Sequence, residues 1–412
     1  MSEARFEISA GFLPLLDSAL LVIAREKGFA GDEGIALHLV RETSWANIRD
    51  RIAVGHFQVA HMLAPMPIAC NLGLTPLAAT TIVPMALGLG GNAVSVSNPL
   101  WAELEAHGAI GDLSPRKTGE ALKSAVIQRK SAGKPPLRFA VVHPHSGHNY
   151  ELRYWLSACG IDPDDDVEIV IVPPPLMADA LGSGALDGFC AGEPWNTAAV
   201  VLGHGRIATV KAKIWRSSPE KVLGAEARWA EANPEALAAL LRAVYRSARW
   251  CAEPANHQEL AAILSAPGHV GRPAEWMLPA LSGLLRTGPE ATVAVEDFFV
   301  PQAKAATFPW KSHALWLYSQ MVRWRQVKHS VDNAAIARET YRPDLYRAAL
   351  KPLGVALPGA NAKVEGALAA ATPVGSAGAS LTLGPDGFFD GSRFDPDELD
   401  DYIASQARTD SR

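Results

Sequence analysis

The chain has 412 residues, 48% of them hydrophobic and 20% charged, with a formal net charge of −5, so it can bury a large core and is not composed like a disordered protein. Lys+Arg 38 against Asp+Glu 43 make it mildly acidic, and no basic run is long enough to track a phosphate backbone, which argues against direct contact with nucleic acid. The apolar runs are either short, as at Leu176–Leu181, or broken, as at Phe12–Ala24 by Asp17; a membrane span needs roughly 20 residues, so no membrane association is expected.

Cys70, Cys159, Cys190 and Cys251 stand far apart without a CxxC pair, a pattern of buried thiols in a reducing compartment rather than of disulfides or zinc. Met1-Ser2-Glu3-Ala4-Arg5 lacks a basic leader region, and Asp17 interrupts the apolar run behind it. A cytoplasmic location is the expectation.

In chain order, strand-like Phe6–Gly11 is followed by helical Leu16–Gly28, strand-like Ile35–Val40, a helix from about Ser44 to Val54 and strand-like Val59–Leu63. This alternation is α/β. Ser44 suits an N-cap and Gly28 a C-cap. Pro76–Val83 and Ala93–Ser97 read as further strands. Gly111–Lys134 is charged and interrupted by Pro115, after which Leu137–Val142, Val167–Val172 and Gly188–Ala191 supply three more strands. Beyond Gly205 the pattern is mainly helical. Pro234–Ala252 is its clearest element, with Asn233 as cap and Leu237, Leu240, Leu241, Val244, Tyr245 and Ala248 on one stripe. The expected organisation is a first lobe over 1–112, a second over 113–205, a helical return to the first over 206–354, and an Ala/Gly/Pro-rich linker with an acidic tail over 355–412.

Three histidines in His143-Pro144-His145-Ser146-Gly147-His148 are close enough to suggest a metal, but Glu151 is the only nearby carboxylate and Pro144 restricts the loop. The loop is equally a place for a histidine to meet a small anion. Gly88-Leu89-Gly90-Gly91-Asn92-Ala93 matches a loose dinucleotide fingerprint, yet an extended stretch follows it instead of a helix. Asp162-Pro163-Asp164-Asp165-Asp166 has Val167 where a calcium loop needs glycine, and reads as a solvated turn. Trp45, Trp195 and Lys221 have both core or surface readings and binding readings. No nucleophile-and-base constellation assembles, and neither a catalytic residue, a metal nor a cofactor is expected.

Several segments together resemble one family: Ser44-Trp45-Ala46-Asn47-Ile48-Arg49-Asp50, Ala60-His61-Met62-Leu63-Ala64-Pro65-Met66-Pro67, Arg153-Tyr154-Trp155-Leu156, Val172-Pro173-Pro174-Pro175 and Phe189-Cys190-Ala191-Gly192-Glu193-Pro194-Trp195-Asn196. They are similar to the NrtA/CmpA family of nitrate- and bicarbonate-binding proteins, and the likeness runs from about Phe6 to Phe394-Asp395-Pro396. It implies an α/β, two-lobed periplasmic-binding-protein-like (type II) fold with a ligand cleft between the lobes. Carried over by position, the family's anion pocket falls on Trp45, Asn92, His148, Gly192 and Lys221. Asn92 departs from the family's Gln by one methylene, so a bridging water or tighter closure would replace a direct contact. Indole, amide, imidazole and backbone donors suit nitrate or nitrite, which offer only acceptors, and Lys221 would balance the charge. The resemblance to the NasS branch implies a cytoplasmic nitrate/nitrite sensor that holds a NasT-type RNA-binding antiterminator until the anion binds. The alternatives are the substrate-binding component of a nitrate transporter or, from another class, an enzyme of the thiamine-pyrimidine-synthase type.

Overall fold

The computed structural model describes residues 5–406. Met1–Ala4, on which part of the leader argument rests, and the last residues of the acidic tail lie outside the described residues.

Two five-stranded sheets organise the chain. In the first, β1 (Phe6–Phe12) lies between β2 (Ile35–Arg41) and β3 (Val59–Leu63), all parallel, while β4 (Thr81–Ala86) forms the far edge. The chain then passes β5 (Leu89–Gly90) and enters the second sheet. There β6 (Asn92–Ser97), β7 (Leu137–Val141), β8 (Val167–Ile171), β9 (Gly188–Gly192) and β10 (Gly205–Val210) take the order β10-β6-β9-β7-β8. Finally β11 (Lys221–Glu226) returns and inserts antiparallel between β3 and β4. The sheets therefore share one topology, each with a single antiparallel strand, β11 or β6, inserted beside its three parallel ones.

This corrects the expected lobe boundaries. β6 pairs with β9 and β10, so the crossing to the second lobe lies before Asn92 rather than near residue 112, and the return follows Val210. Backbone pairing of an alternating strand such as Asn92–Ser97 depends on partners about a hundred residues away, which local pattern does not reveal. Gly90 belongs to this crossing: its φ is +74°, and a Cβ there would run into the Phe298 carbonyl.

Helix Pro234–Ala252 packs against Ala19–Glu26 with its predicted stripe buried. Asn233 makes no side-chain cap; its amide donates instead to the Trp229 carbonyl at 2.9 Å. Ser44, by contrast, caps Trp45–Ala53, and Gly28 ends its helix at φ +76°.

The stretch expected to be a linker is an ordered strap. Thr372–Val374 pairs with Leu381–Leu383, and Leu357–Pro358 with Ser376–Ala377. Arg347 Nε donates to the Pro358 carbonyl at 2.8 Å, on the first-lobe side. At the far end Phe388 stacks on Trp215 at 4.7 Å, and Tyr154 Oη donates to Asp390 at 2.8 Å, on a second-lobe helix. Small residues let the segment run extended, while a few large side chains anchor it, a division that average composition conceals.

Candidate functional site

The carboxyl ends of the parallel strands of both sheets converge where open α/β sheets receive ligands. After β1 the chain turns into a short 3-10 segment, Leu16–Ser18, that buries Asp17. Trp45 is the first residue of helix Trp45–Ala53, whose cap Ser44 Oγ accepts from Asn47 N–H at 3.2 Å. His148 lies in the first turn of helix Gly147–Ala158, where Ser146 Oγ accepts from Asn149 N–H at 3.0 Å. Two helix amino termini, with their free N–H groups and positive dipole ends, thus contribute to one place. The inserted antiparallel strands supply the rest: Lys221 opens β11 opposite Leu63, and Asn92 opens β6 opposite Gly192.

The five residues named from sequence come together. Lys221 Nζ lies 5.5 Å from the Trp45 ring centroid and 2.9 Å from Glu220 Oε1, while His148 Nδ1 is 3.2 Å from that same Glu220 oxygen. A Cβ built on Gly192 would sit 3.4 Å from Asn92 Oδ1 and 3.5 Å from Asp17 Oδ2. Trp45 and Lys221 are 1% exposed, Asn92 and His148 not at all. A ligand therefore reaches this site only by separation of the lobes, which the Leu16 N–H to Glu193 carbonyl hydrogen bond of 2.8 Å helps hold together.

Sequence reasoning missed half of the site. Asp17 Oδ2 takes Lys221 Nζ at 2.9 Å, and Asp17 Oδ1 is 2.9 Å from His61 Nε2. Lys211 Nζ is shared by Glu151 at 2.6 Å and Glu220 at 2.7 Å. Asp17 had a signal, since it breaks an apolar run, and so had His61, alone in a buried strand. Nothing local pairs Lys211 with Glu151, sixty positions away. Lys221 is thus a buried strand residue already neutralised by two carboxylates, not the free countercharge expected.

Burial opposes every charge here, and the pairing decides which survive. Burial disfavours the Asp17 carboxylate, but Lys221 and His61 outweigh it and hold the group down to about 2. Burial likewise opposes charge on Lys221, yet Asp17 and Glu220 raise it, and Glu220 is driven well below its ordinary value by His148, Lys211 and Lys221. Glu151 has only a share of Lys211, and burial lifts it to about 8. Burial drops His148 to about 3 and lowers His61. Around this network Trp45 Nε1 and both ring nitrogens of His148 have no hydrogen-bond partner, while the Asn92 side chain lies within reach of the Glu151 carboxyl. Buried orphan donors of this kind cost stability and mark a place built for something else to satisfy them.

His143 and His145 do not join the site. His143 Nδ1 accepts from His145 N–H at 3.1 Å, and His145 Nδ1 lies 3.2 Å from Gln326 Oε1. Among the described residues no three His, Cys, Asp or Glu side chains form a group able to hold a metal. Trp195 is buried beneath Arg272, 4.9 Å from its ring centroid. The aspartates of 162–166 form a turn ahead of β8, with Asp166 paired to Lys130 at 3.0 Å.

The pattern of the NMT1-like family matches residues 3–265. The nitrate/nitrite binding protein NrtA of Synechococcus elongatus is 34% identical over 406 residues, spanning 96% of this chain and 85% of that one. The chain belongs to the NrtA/CmpA family. The bicarbonate-binding protein CmpA of the same organism is 28% identical over 415 residues, with 97% and 86% covered. In three dimensions the chain is similar to the periplasmic nitrate-binding protein NrtA of Synechocystis, with a TM-score of 0.85, 28% identity and 99% of each chain covered. The two-lobed α/β architecture is thus that of the periplasmic-binding-protein fold, and these family members are binding proteins rather than enzymes.

Proposed function

We propose that the chain binds nitrate or nitrite between its lobes, as the substrate-binding component of a nitrate transport system. The observation that carries this reading is the sealed cluster of the orphan indole donor Trp45 Nε1 and the unpartnered His148 ring, grouped about Lys221 with the Asn92 side chain and the Gly192 backbone. A planar anion offering only acceptors around its edge satisfies such donors. NrtA relatives that bind nitrate or nitrite support the choice of anion. Calorimetry with nitrate, nitrite, bicarbonate and an alkanesulfonate tests it; heat from the first two alone is the expected result, and no binding of either removes the reading.

The finer reading is a cytoplasmic sensor that sequesters a NasT-type antiterminator and releases it on anion binding. It draws on the resemblance to the NasS branch, while the likeness to a periplasmic nitrate-binding protein supports the first reading. Linkage separates them: if nitrate weakens such a complex a hundredfold, about 2.7 kcal/mol, the partner must weaken nitrate binding equally. Size-exclusion chromatography of the purified pair with and without nitrate reads this directly. A complex indifferent to the anion, or none at all, excludes the sensor.

A further inference from the structure

We propose that Lys211 is a positioning residue of this site: it makes no contact with the anion, and through the Glu220 carboxylate it fixes where Lys221 presents its free N–H. The inference rests on the nitrate/nitrite reading above and concerns how the two buried lysines divide their work.

The first ground is a count of donors. An ammonium group carries three N–H bonds and accepts nothing. Lys211 Nζ has three acceptors at close range, the Pro219 carbonyl at 2.5 Å, Glu220 Oε2 at 2.7 Å and Glu151 Oε1 at 2.6 Å, so no N–H is left for a ligand. Among the described residues Lys221 Nζ has two, Asp17 Oδ2 and Glu220 Oε1, both at 2.9 Å. Both lysines are buried. Of the two, Lys221 alone keeps an N–H for an anion.

The second ground is where Lys211 places its bonds. It opens the short helix Lys211–Ile214 that follows β10 in the second lobe. Two of its acceptors are Pro219 and Glu220, the residues that lead directly into Lys221 at the start of β11. These bonds close the crossing between the lobes into a ring, and Glu151 ties that ring to helix Gly147–Ala158.

The third ground is that one carboxylate serves both lysines. Glu220 Oε2 takes Lys211 and Glu220 Oε1 takes Lys221, so displacing the first ammonium moves the partner of the second. Neighbouring side chains of an extended chain point to opposite sides. Glu220 accordingly faces Lys211 and His148, whose Nδ1 is 3.2 Å away, while Lys221 faces Asp17 and Trp45 in the first lobe. Gly147 leaves room for the carboxylate, since a Cβ there would run into Glu220 Oε2.

Calorimetry with sodium nitrate on the native protein, Lys211→Met, Glu220→Gln and the double variant forms a cycle that tests this. Lys211→Met should weaken binding about 10- to 100-fold, and the same change made in Glu220→Gln should cost less than about threefold, because the link is already cut. A full loss in the Glu220→Gln background would mean that Lys211 touches the anion itself. Native affinity in a folded Lys211→Met would mean that its role is confined to stability. Either result overturns the inference and leaves the anion-binding reading standing. Should Lys211→Met fail to fold, Gly147→Ala pushes the Glu220 carboxylate aside with Lys211 intact; it should reproduce the loss, and unchanged affinity overturns the inference. A native protein that binds neither nitrate nor nitrite removes the anion reading itself, before any variant is compared.

Discussion

Lys221 Nζ lies 2.9 Å from Asp17 Oδ2, joining the start of β11 to the turn that follows β1. Both side chains are buried, and Glu220 holds the lysine from its other side. Such an ion pair contributes little net stability when intact, but removing one partner strands a buried charge.

Lys221→Met should therefore lower stability by about 3–5 kcal/mol in urea denaturation, because Asp17 and Glu220 lose their shared cation. Combining it with Asp17→Asn should recover much of that loss. Nitrate affinity should be lost in both variants, which separates the structural from the binding role.

Trp45→Phe keeps a ring beside Lys221 and His61 but deletes the buried Nε1 donor. A hydrogen bond to a charged acceptor contributes about 1.5–3 kcal/mol, so nitrate affinity should fall roughly 10- to 150-fold by calorimetry. Unchanged affinity would exclude the indole from the pocket.

Acid should weaken the fold through Asp17. Its folded value of about 2 lies below the ordinary 3.8, so its contribution is complete above pH 4 and disappears as pH falls towards 2. The size is about 2 kcal/mol. Asp17→Asn should show a flatter stability curve over pH 4 to 2 than the native chain; equal slopes would contradict the assignment.

Glu151 has the opposite sign. Held at about 8 against an ordinary 4.5, it keeps a proton that the unfolded chain releases, so its contribution falls as pH rises through that window. Glu151→Gln should leave stability near pH 5 almost unchanged and raise it by about 2–4 kcal/mol at pH 8. A variant that loses stability at both pH values would mean that the Lys211 pair is ionised.

Phe388→Ala should cost about 3–5 kcal/mol, since the ring stacks on Trp215 and packs beside Tyr154. A loss below about 1 kcal/mol in urea would show that the strap is not part of the cooperative unit.

What the sequence determined by itself is local or carried by motif. The β1 to β3 alternation, the Ser44 cap, the Gly28 stop and the buried stripe of Pro234–Ala252 follow from side-chain period and backbone preference, which act within a few residues. The segments around Trp45, His148, Gly192 and Lys221 were recognisable as a set. Only the tertiary structure decided that Asn92 opens a strand of the second sheet, that residues 355–406 form a strap, and that Asp17, His61, Glu151, Lys211 and Glu220 lie around Trp45, Asn92, His148, Gly192 and Lys221. Strand register and buried charge pairing are set by groups tens to hundreds of positions apart. The energy that fixes them exists only once water has been excluded from between those groups, so no window of sequence contains it.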